Sequence, residues 1–246
     1  CTPWAHDGVC DRRHKRMTLL KSRRIALCLC PQYTCDMRSP IHHAARNVFN
    51  VFGFPTTFKP GFAVFLAFLV FLYPYPLGLW MAGAVGIFTL IHELGHALAA
   101  RMSGCTASIS LDFMVAYAAY EPRSPLTWGQ KARIAIAGPS LQITCAIAVL
   151  LLNSTNPFSR ADITISDATI SIWWAGIALG VLNLVPLLPL DGGAFVASIV
   201  ERFMPGRGQT IVLKASAALT ALLFGLCIVT SNTELAPLFV FMLFMQ

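Results

Sequence analysis

Five consecutive residues, His92-Glu93-Leu94-Gly95-His96, have the types and the spacing of a metal-dependent hydrolytic site. On a helix, positions i and i+4 lie on the same face, so His92 and His96 can bind one metal ion together. Glu93 then lies beside that ion, where its carboxylate can act as a general base toward water. The pattern therefore predicts a zinc site carried by a helix.

The sequence around this motif is apolar over a length that can cross a membrane. Three ionisable side chains within five residues are costly inside a transmembrane helix, and they rarely occur there without a function. A polar cluster between helices is the structural alternative. A soluble-type zinc protease tethered to the membrane is disfavoured, because its histidine pair would not lie in an apolar span of about 20 residues.

Composition predicts an all-α polytopic membrane protein. The 246 residues are 56% hydrophobic and 12% charged, with a mean hydropathy of +0.66, whereas a soluble domain has about twice that charged share. The apolar residues form blocks of about 20 residues, enough for a helix to cross a hydrocarbon core of roughly 30 Å. We expect about six transmembrane helices, at about 61–80, 81–103, 131–152, 171–190 and 211–230, with a sixth beginning near 236.

Two connecting segments have a different character. Residues 46–60 are rich in phenylalanine and end in Lys59 and Pro60, which is typical of a membrane interface. Residues 105–130 contain the small, aromatic and β-branched run SISLDFMVAYAAY. This run predicts a short β-hairpin or a re-entrant segment between the second and third spans. We expect it to pair with an unwound substrate strand by β-addition.

The net charge of +7 reflects membrane topology and does not indicate nucleic-acid binding. Nine of the 18 Lys and Arg residues precede residue 50. The loops on one side of the spans hold Arg101, Arg123, Lys131, Arg133, Arg202, Arg207 and Lys214, and the other side holds Arg160. The positive-inside rule places the first set, with the histidine motif, toward the cytoplasm.

A catalytic zinc ion needs a third protein ligand and one open position. After residue 50 the sequence contains no histidine other than His92 and His96, so this ligand is Asp, Glu or Cys. Asp191 is favoured, because the fourth span returns to the side of the membrane where the second span ends. Glu121 and Asp112 are alternatives, and Asp191-Gly-Gly also fits a turn.

Prolines interrupt the chain just before Asp191. Pro186 and Pro189 break the end of the fourth span, and unwound backbone is tolerated in a membrane where it lines a cavity or is buried by protein. A substrate would approach there. Asn183 can donate to a substrate carbonyl or a developing oxyanion, and an interhelical hydrogen bond explains it equally well.

These motifs together resemble the site-2 protease family of intramembrane zinc metalloproteases. The resemblance rests on HELGH in a transmembrane helix, on Asn183-x-x-Pro186 and then on Leu190-Asp191-Gly192-Gly193. Ala137-Gly138-Pro139 resembles a further family element, and the match covers about residues 60–230. In one departure, relatives commonly have Asn three residues after this proline, where this chain has Gln142.

The resemblance implies a function and a role for each motif residue. It implies a zinc metalloendopeptidase that hydrolyses peptide bonds in or near transmembrane segments of membrane-protein substrates. His92, His96 and Asp191 would be the zinc ligands, Glu93 the catalytic glutamate, and Asn183 a residue that binds the substrate. Pro186, in the interrupted end of the fourth span, is also expected to belong to the substrate-binding region.

Other functions fit the sequence less well. A metal transporter would need polar groups at several depths, whereas here they gather at one level. An inactive adaptor that binds substrates without cutting them is disfavoured by the intact Glu93. No loop is long enough to hold a PDZ or CBS domain, so we expect a compact enzyme, and this size favours a bacterial cell membrane.

Residues 46–246 are expected to form the transmembrane metalloprotease core. Residues 1–45 are basic and rich in cysteine, and we expect them to be disordered or not native to the protein. No secretory signal is evident in them. A small metal knuckle would be formed by His14, Cys28, Cys30 and Cys35. It is disfavoured, because the spacing of these residues fits no zinc template well.

Overall fold

The computed structural model describes residues 48–112, 116–230, 239–240, 242–243 and 246. The predictions for residues 1–45 lie outside these ranges, and most of the expected sixth span does too. Within the described residues the protein is mostly helical, with one small β-sheet.

In the part of the chain that the structure describes, three helices are long and apolar enough to cross a membrane. They are α2 (Leu77–Met102), α3 (Trp128–Leu152) and α8 (Gly208–Val229). Their bounds agree closely with the expected second, third and fifth spans. The expected first span is only the 13-residue helix α1 (Pro60–Leu72), which ends shortly before Pro74 because proline disrupts an ongoing helix. The count of six transmembrane helices is not confirmed.

The expected fourth span is not one helix. After the short helix α4 (Arg160–Ile163), α5 (Asp167–Ile172) continues through a π-helical turn (Trp173–Ala178) into α6 (Leu179–Asn183). Residues 184–190 are not helical, because Pro186 and Pro189 lack an amide proton and disrupt helical geometry. Asp191 therefore does not end a span but begins a separate helix, α7 (Asp191–Phe203).

The sheet contains four strands in the order β1-β2-β3-β4. Strands β1 (Val48–Val51) and β2 (Phe54–Phe58) form a hairpin where we expected only an interfacial segment. Its turn contains Phe52 at φ 50° and Gly53 at φ 80°, and positive φ at both turn positions suits the twist of a two-residue hairpin.

The predicted hairpin between the second and third spans is confirmed. Strands β3 (Cys105–Leu111) and β4 (Ala116–Pro122) pair antiparallel, and β3 pairs in parallel with β2. Among the described residues, strand β4 is thus an edge of the sheet. The sheet is attached to the helices through a buried cluster that includes Phe54, Phe62 and Ala97.

Helix α2 lies at the centre of the helical packing. It contacts α1 and α3, and its buried Phe88 lies in a cluster with Ala146 of α3 and Ala175 of the π-helical turn. Helix α7 packs against both α3 and α8. The Glu201 carboxylate accepts hydrogen bonds from the N–H groups of Gly206 and Gly208, which hold its pKa below the ordinary value and fix the turn from α7 into α8.

Candidate metal centre

Three side chains from two separate helices converge on one point. His92 and His96 lie one helical turn apart on α2, and their Nε2 atoms are 3.0 Å from each other. Asp191 at the start of α7 approaches both: its Oδ2 is 2.9 Å from His92 Nε2, and its Oδ1 is 3.4 Å from His96 Nε2. Among the His, Cys, Asp and Glu side chains of the described residues, these three lie close enough together to hold a metal ion.

Backbone and side-chain acceptors fix the orientation of both imidazole rings. His96 Nδ1 lies 2.7 Å from the carbonyl oxygen of Ile134, which can only accept, so Nδ1 carries the proton. His92 Nδ1 lies 2.6 Å from Oε1 of Gln142. Bonds of this kind from the outer nitrogen turn the other ring nitrogen, with its lone pair, toward a metal ion.

The centre of the cluster therefore needs a positive charge. Two imidazole Nε2 atoms and a carboxylate face one another at hydrogen-bond distance, and with neutral rings none of them has a proton to donate there. A cation bound between them removes the repulsion. Two imidazole nitrogens and one carboxylate are a donor set typical of a catalytic divalent metal with an open position.

Glu93 lies beside this cluster and is 5% exposed. Its Oε2 is buried and has no hydrogen-bond partner among the described residues, while the backbone N–H of Ala118 on β4 donates to the carboxylate. An unsatisfied buried carboxylate oxygen is costly. This atom is therefore free to bind a group that the protein does not supply, such as a water molecule between Glu93 and the metal ligands.

Two glycines and a serine hydroxyl allow the loop before α7 to place Asp191 beside His92 and His96. A Cβ at Gly192 would lie 2.2 Å from the Leu184 carbonyl oxygen, and one at Gly193 would lie 2.4 Å from the Leu188 nitrogen. Residues 184–190 can therefore fold back onto the first turn of α7 only where side chains are absent. The Leu188 N–H also donates to Ser216 Oγ of α8 at 3.0 Å, which ties this loop to a spanning helix.

Close contact between α2 and α3 also depends on missing side chains. A Cβ at Gly95 would lie 2.5 Å from the Ala137 carbonyl oxygen, and a Cβ at Gly138 would lie 2.3 Å from His96 Nε2. Gly138 therefore provides the space that the His96 ring occupies.

We expect Gly138→Ala to displace the His96 ring and to lower metal affinity by at least about tenfold, the range seen when support of a metal ligand is lost. Gly129→Ala is the matched control, because a Cβ at Gly129 on the same helix meets no atom within 4 Å. Zinc titration of the two purified variants measures the effect. Equal affinities would show that the ring has room to move.

The other residues singled out in the sequence lie elsewhere. Asp112 forms an ion pair with Lys59 at 2.9 Å, and Glu121 is an exposed residue of the edge strand β4; neither alternative ligand joins the cluster. Asn183 is half-buried at the end of α6, and Pro186 is exposed in the loop that follows. No hydrogen bond or ion pair recorded for the described residues joins either of them to the cluster.

Comparisons with known proteins match this arrangement. The model of peptidase family M50 matches residues 155–223, which contain Asp191. A candidate zinc metalloprotease of Synechocystis sp. is 28% identical over 182 residues, 68% of this chain and 47% of that protein. A zinc metalloprotease of Methanocaldococcus jannaschii is 26% identical over 201 residues, 79% of this chain and 58% of that protein. The part of the chain that supplies Asp191 is thus similar to peptidase family M50. The resemblance to the site-2 protease family is thereby confirmed.

A solved structure supports the fold. The site-2 protease from Methanocaldococcus jannaschii matches with a TM-score of 0.56 at 20% identity, covering 80% of this chain and 91% of that one. The chain spans about half the length of the curated relatives it matches. With three helices of spanning length among the described residues, this protein is an integral membrane protein.

Proposed function

We propose that this protein is an intramembrane zinc metalloendopeptidase that hydrolyses peptide bonds in or near transmembrane segments of membrane-protein substrates. The observation that carries the proposal is the convergence of His92, His96 and Asp191 beside the unpartnered Oε2 of Glu93. Two helices separated by almost 90 residues of chain supply this set. It has both parts that hydrolysis requires, a metal-binding face and a general base.

In the proposed mechanism His92, His96 and Asp191 hold zinc. When bound, zinc supplies a Lewis acid that lowers the pKa of water and polarises the scissile carbonyl. Glu93 accepts a proton from the attacking water at Oε2, and it later transfers that proton to the amine that leaves when the C–N bond breaks. Nearby apolar packing excludes bulk water and strengthens each electrostatic interaction in the site.

Strand β4 is proposed to bind the substrate backbone. It is an edge strand, and the donation from Ala118 N–H to Glu93 brings this edge to the proposed catalytic glutamate. A transmembrane helix conceals its peptide bonds, so the substrate must unwind before cleavage. An unwound segment can satisfy its free N–H and C=O groups by adding to such an edge.

Replacing Ala118 with proline tests whether the contact of this edge with Glu93 matters for cleavage, because proline removes the N–H group that donates to the carboxylate. We expect Ala118→Pro to lower the cleavage rate about tenfold or more, because the loss of one net hydrogen bond corresponds to about a tenfold change. The zinc content of the variant should be unchanged. Cleavage assays and metal analysis on the same preparation measure both. Cleavage at the unaltered rate would show that the contact between Ala118 and Glu93 is not needed for the reaction.

Asn183 and Pro186 are proposed to belong to the substrate-binding region. The loop that contains Pro186 lies between Asn183 and the metal ligand Asp191, and non-helical backbone at membrane depth is found where it lines a cavity or is buried by protein. The Asn183 amide is proposed to donate to a substrate carbonyl or the developing oxyanion.

The site is proposed to face the cytoplasm of a bacterial cell. Arg101 and Arg202 lie in the last turns of α2 and α7, and Arg160 begins α4, which follows the opposite end of α3. The excess of basic residues on one side supports this orientation through the positive-inside rule.

Cleavage of a panel of tagged single-span membrane proteins tests the proposed function. Each panel member is incubated with the purified chain or with its Glu93→Gln variant. We expect shortened products that form only with the unaltered chain. Absence of product from every panel member, in folded protein that also fails to retain zinc, would contradict the proposal.

A further inference from the structure

Gln142 makes two buried hydrogen bonds that connect three helical segments. It lies on α3 and is 3% exposed. Its Oε1 is 2.6 Å from Nδ1 of His92 on α2, and its Nε2 donates to the carbonyl oxygen of Ala175 in the π-helical turn at 2.7 Å. A side chain that is buried and satisfied in this way has little freedom to reorient.

The Ala175 carbonyl sets the direction of the whole chain of bonds. A carbonyl oxygen can only accept, so the amide must present its NH₂ group to Ala175 and its oxygen to His92. This oxygen can also only accept, so His92 Nδ1 must donate. The lone pair of His92 is then on Nε2, the atom 2.9 Å from the Asp191 carboxylate.

The two histidines are therefore oriented by different means. His96 donates directly to the Ile134 carbonyl of the backbone. His92 depends on one side chain, which transmits the polarity of the Ala175 carbonyl. A substitution at residue 142 can change the orientation of His92 alone, whereas no side-chain substitution removes the acceptor of His96.

The length of the Gln142 side chain matches the gap between α2 and the π-helical turn. Gly180, just after that turn, would place a Cβ 2.6 Å from Ile143 Cγ1, so its hydrogen allows α6 to pack closely against α3 beside Gln142. Asparagine at this position would be shorter by one methylene. From the same backbone position it cannot reach both His92 and Ala175.

We propose that Gln142 is a positioning residue that fixes His92 as the tautomer with its proton on Nδ1 and thereby sets the affinity of the metal centre. The inference rests on the proposed function, because it requires that His92 binds a metal ion through Nε2. Gln142 acts through His92 and does not touch the reacting atoms.

Zinc affinity of the full chain in detergent tests this role, measured at fixed pH by competition with a chromophoric chelator. We expect Gln142→Met, which keeps the length but has no amide, to lower zinc affinity about 10–100-fold, as for loss of other groups that orient metal ligands. Gln142→Asn keeps one of the two bonds and should fall between Gln142→Met and the unaltered chain.

Thr144→Val is the matched control. Thr144 is an exposed residue two positions further along α3, and its hydroxyl donates only to the Ser140 carbonyl of the same helix at 2.7 Å. We expect its zinc affinity and the visible spectrum of its Co²⁺-loaded form to equal those of the unaltered chain. The Co²⁺ spectra of both Gln142 variants should differ, because a reoriented imidazole changes the ligand field.

The possible outcomes separate this inference from the proposed function. Failure of the unaltered chain to bind zinc would overturn the proposed metal site itself. Zinc binding by the unaltered chain, with affinities of the Gln142 variants within twofold of it, would overturn only the role of Gln142. If Gln142→Met does not fold, Gln142→Asn decides in the same way, reduced affinity supporting the role and unchanged affinity overturning it.

Discussion

Asp191→Ala is expected to lower zinc affinity by more than about 100-fold, beyond the range for residues that only orient a ligand. Asp191 is the anionic member of the group, with its two oxygens 2.9 Å and 3.4 Å from the histidine nitrogens. Its removal leaves two neutral imidazoles, which do not neutralise a divalent cation in a buried site. Metal analysis after dialysis, followed by chelator competition, measures the loss.

A helix-capping role for Asp191 predicts a different result. Asp191 lies in the first turn of α7, where a negative charge stabilises a helix by about 0.3–1 kcal/mol, but no side-chain hydrogen bond caps this helix. Loss of a capping residue would lower thermal stability and leave zinc affinity unchanged. Instead, the thermal stability of Asp191→Ala should differ from that of the unaltered chain mainly when zinc is present.

Asp162→Ala is the control for the loss of an aspartate. The Asp162 carboxylate accepts hydrogen bonds from Ser159 Oγ at 3.0 Å and from the Asn156 N–H at 3.2 Å, and Asp162 is not a member of the metal-binding group. Its loss should reduce stability slightly without an effect on zinc. Equal zinc affinity in Asp191→Ala and Asp162→Ala would remove Asp191 from the metal site.

Sequence periodicity was sufficient to predict the elements that carry the histidine motif. The i, i+4 spacing of His92 and His96 in an apolar span predicts a helix with one polar face, and both residues lie buried on α2. The β-hairpin after α2 was also predictable, because small, aromatic and β-branched residues favour strands over helices. These patterns are local and depend little on the rest of the fold.

The segment that supplies Asp191 could be predicted only in part. Pro186 and Pro189 indicated a break in the fourth span, but the new helix α7 was not expected. Its second and third residues are Gly192 and Gly193, and glycine has a low intrinsic helix propensity. The structure explains them by the close approach of residues 184–190, a tertiary contact that no local pattern contains.

The proposed role of Gln142 could not be predicted from the sequence for a related reason. The sequence alone marked it as a departure from the family pattern but did not indicate its partners. Whether it meets His92 and Ala175 depends on the rotation of α3 and on a π-helical turn, which moves the carbonyl groups that follow it relative to a regular α-helix. A buried amide in an apolar span is the signal that could have identified it, since such groups are costly unless hydrogen-bonded.

Glu93→Gln is expected to separate metal binding from catalysis. Glutamine has nearly the same shape, and Glu93 is not one of the three residues whose ligand atoms converge, so the variant should retain zinc as tightly as the unaltered chain. An amide cannot accept a proton from water at neutral pH. The cleavage rate should therefore fall by about 10²–10⁴-fold, the usual contribution of a general base.

The comparison with Asp191→Ala makes the two roles distinguishable in one experiment. Both variants should lack activity, but only Asp191→Ala should recover measurable cleavage when excess zinc is added, because its defect is one of affinity. Glu93→Gln should remain inactive at every zinc concentration. Full cleavage by zinc-loaded Glu93→Gln would mean that another group accepts the proton, and the buried, unpartnered Oε2 of Glu93 would then need a different explanation.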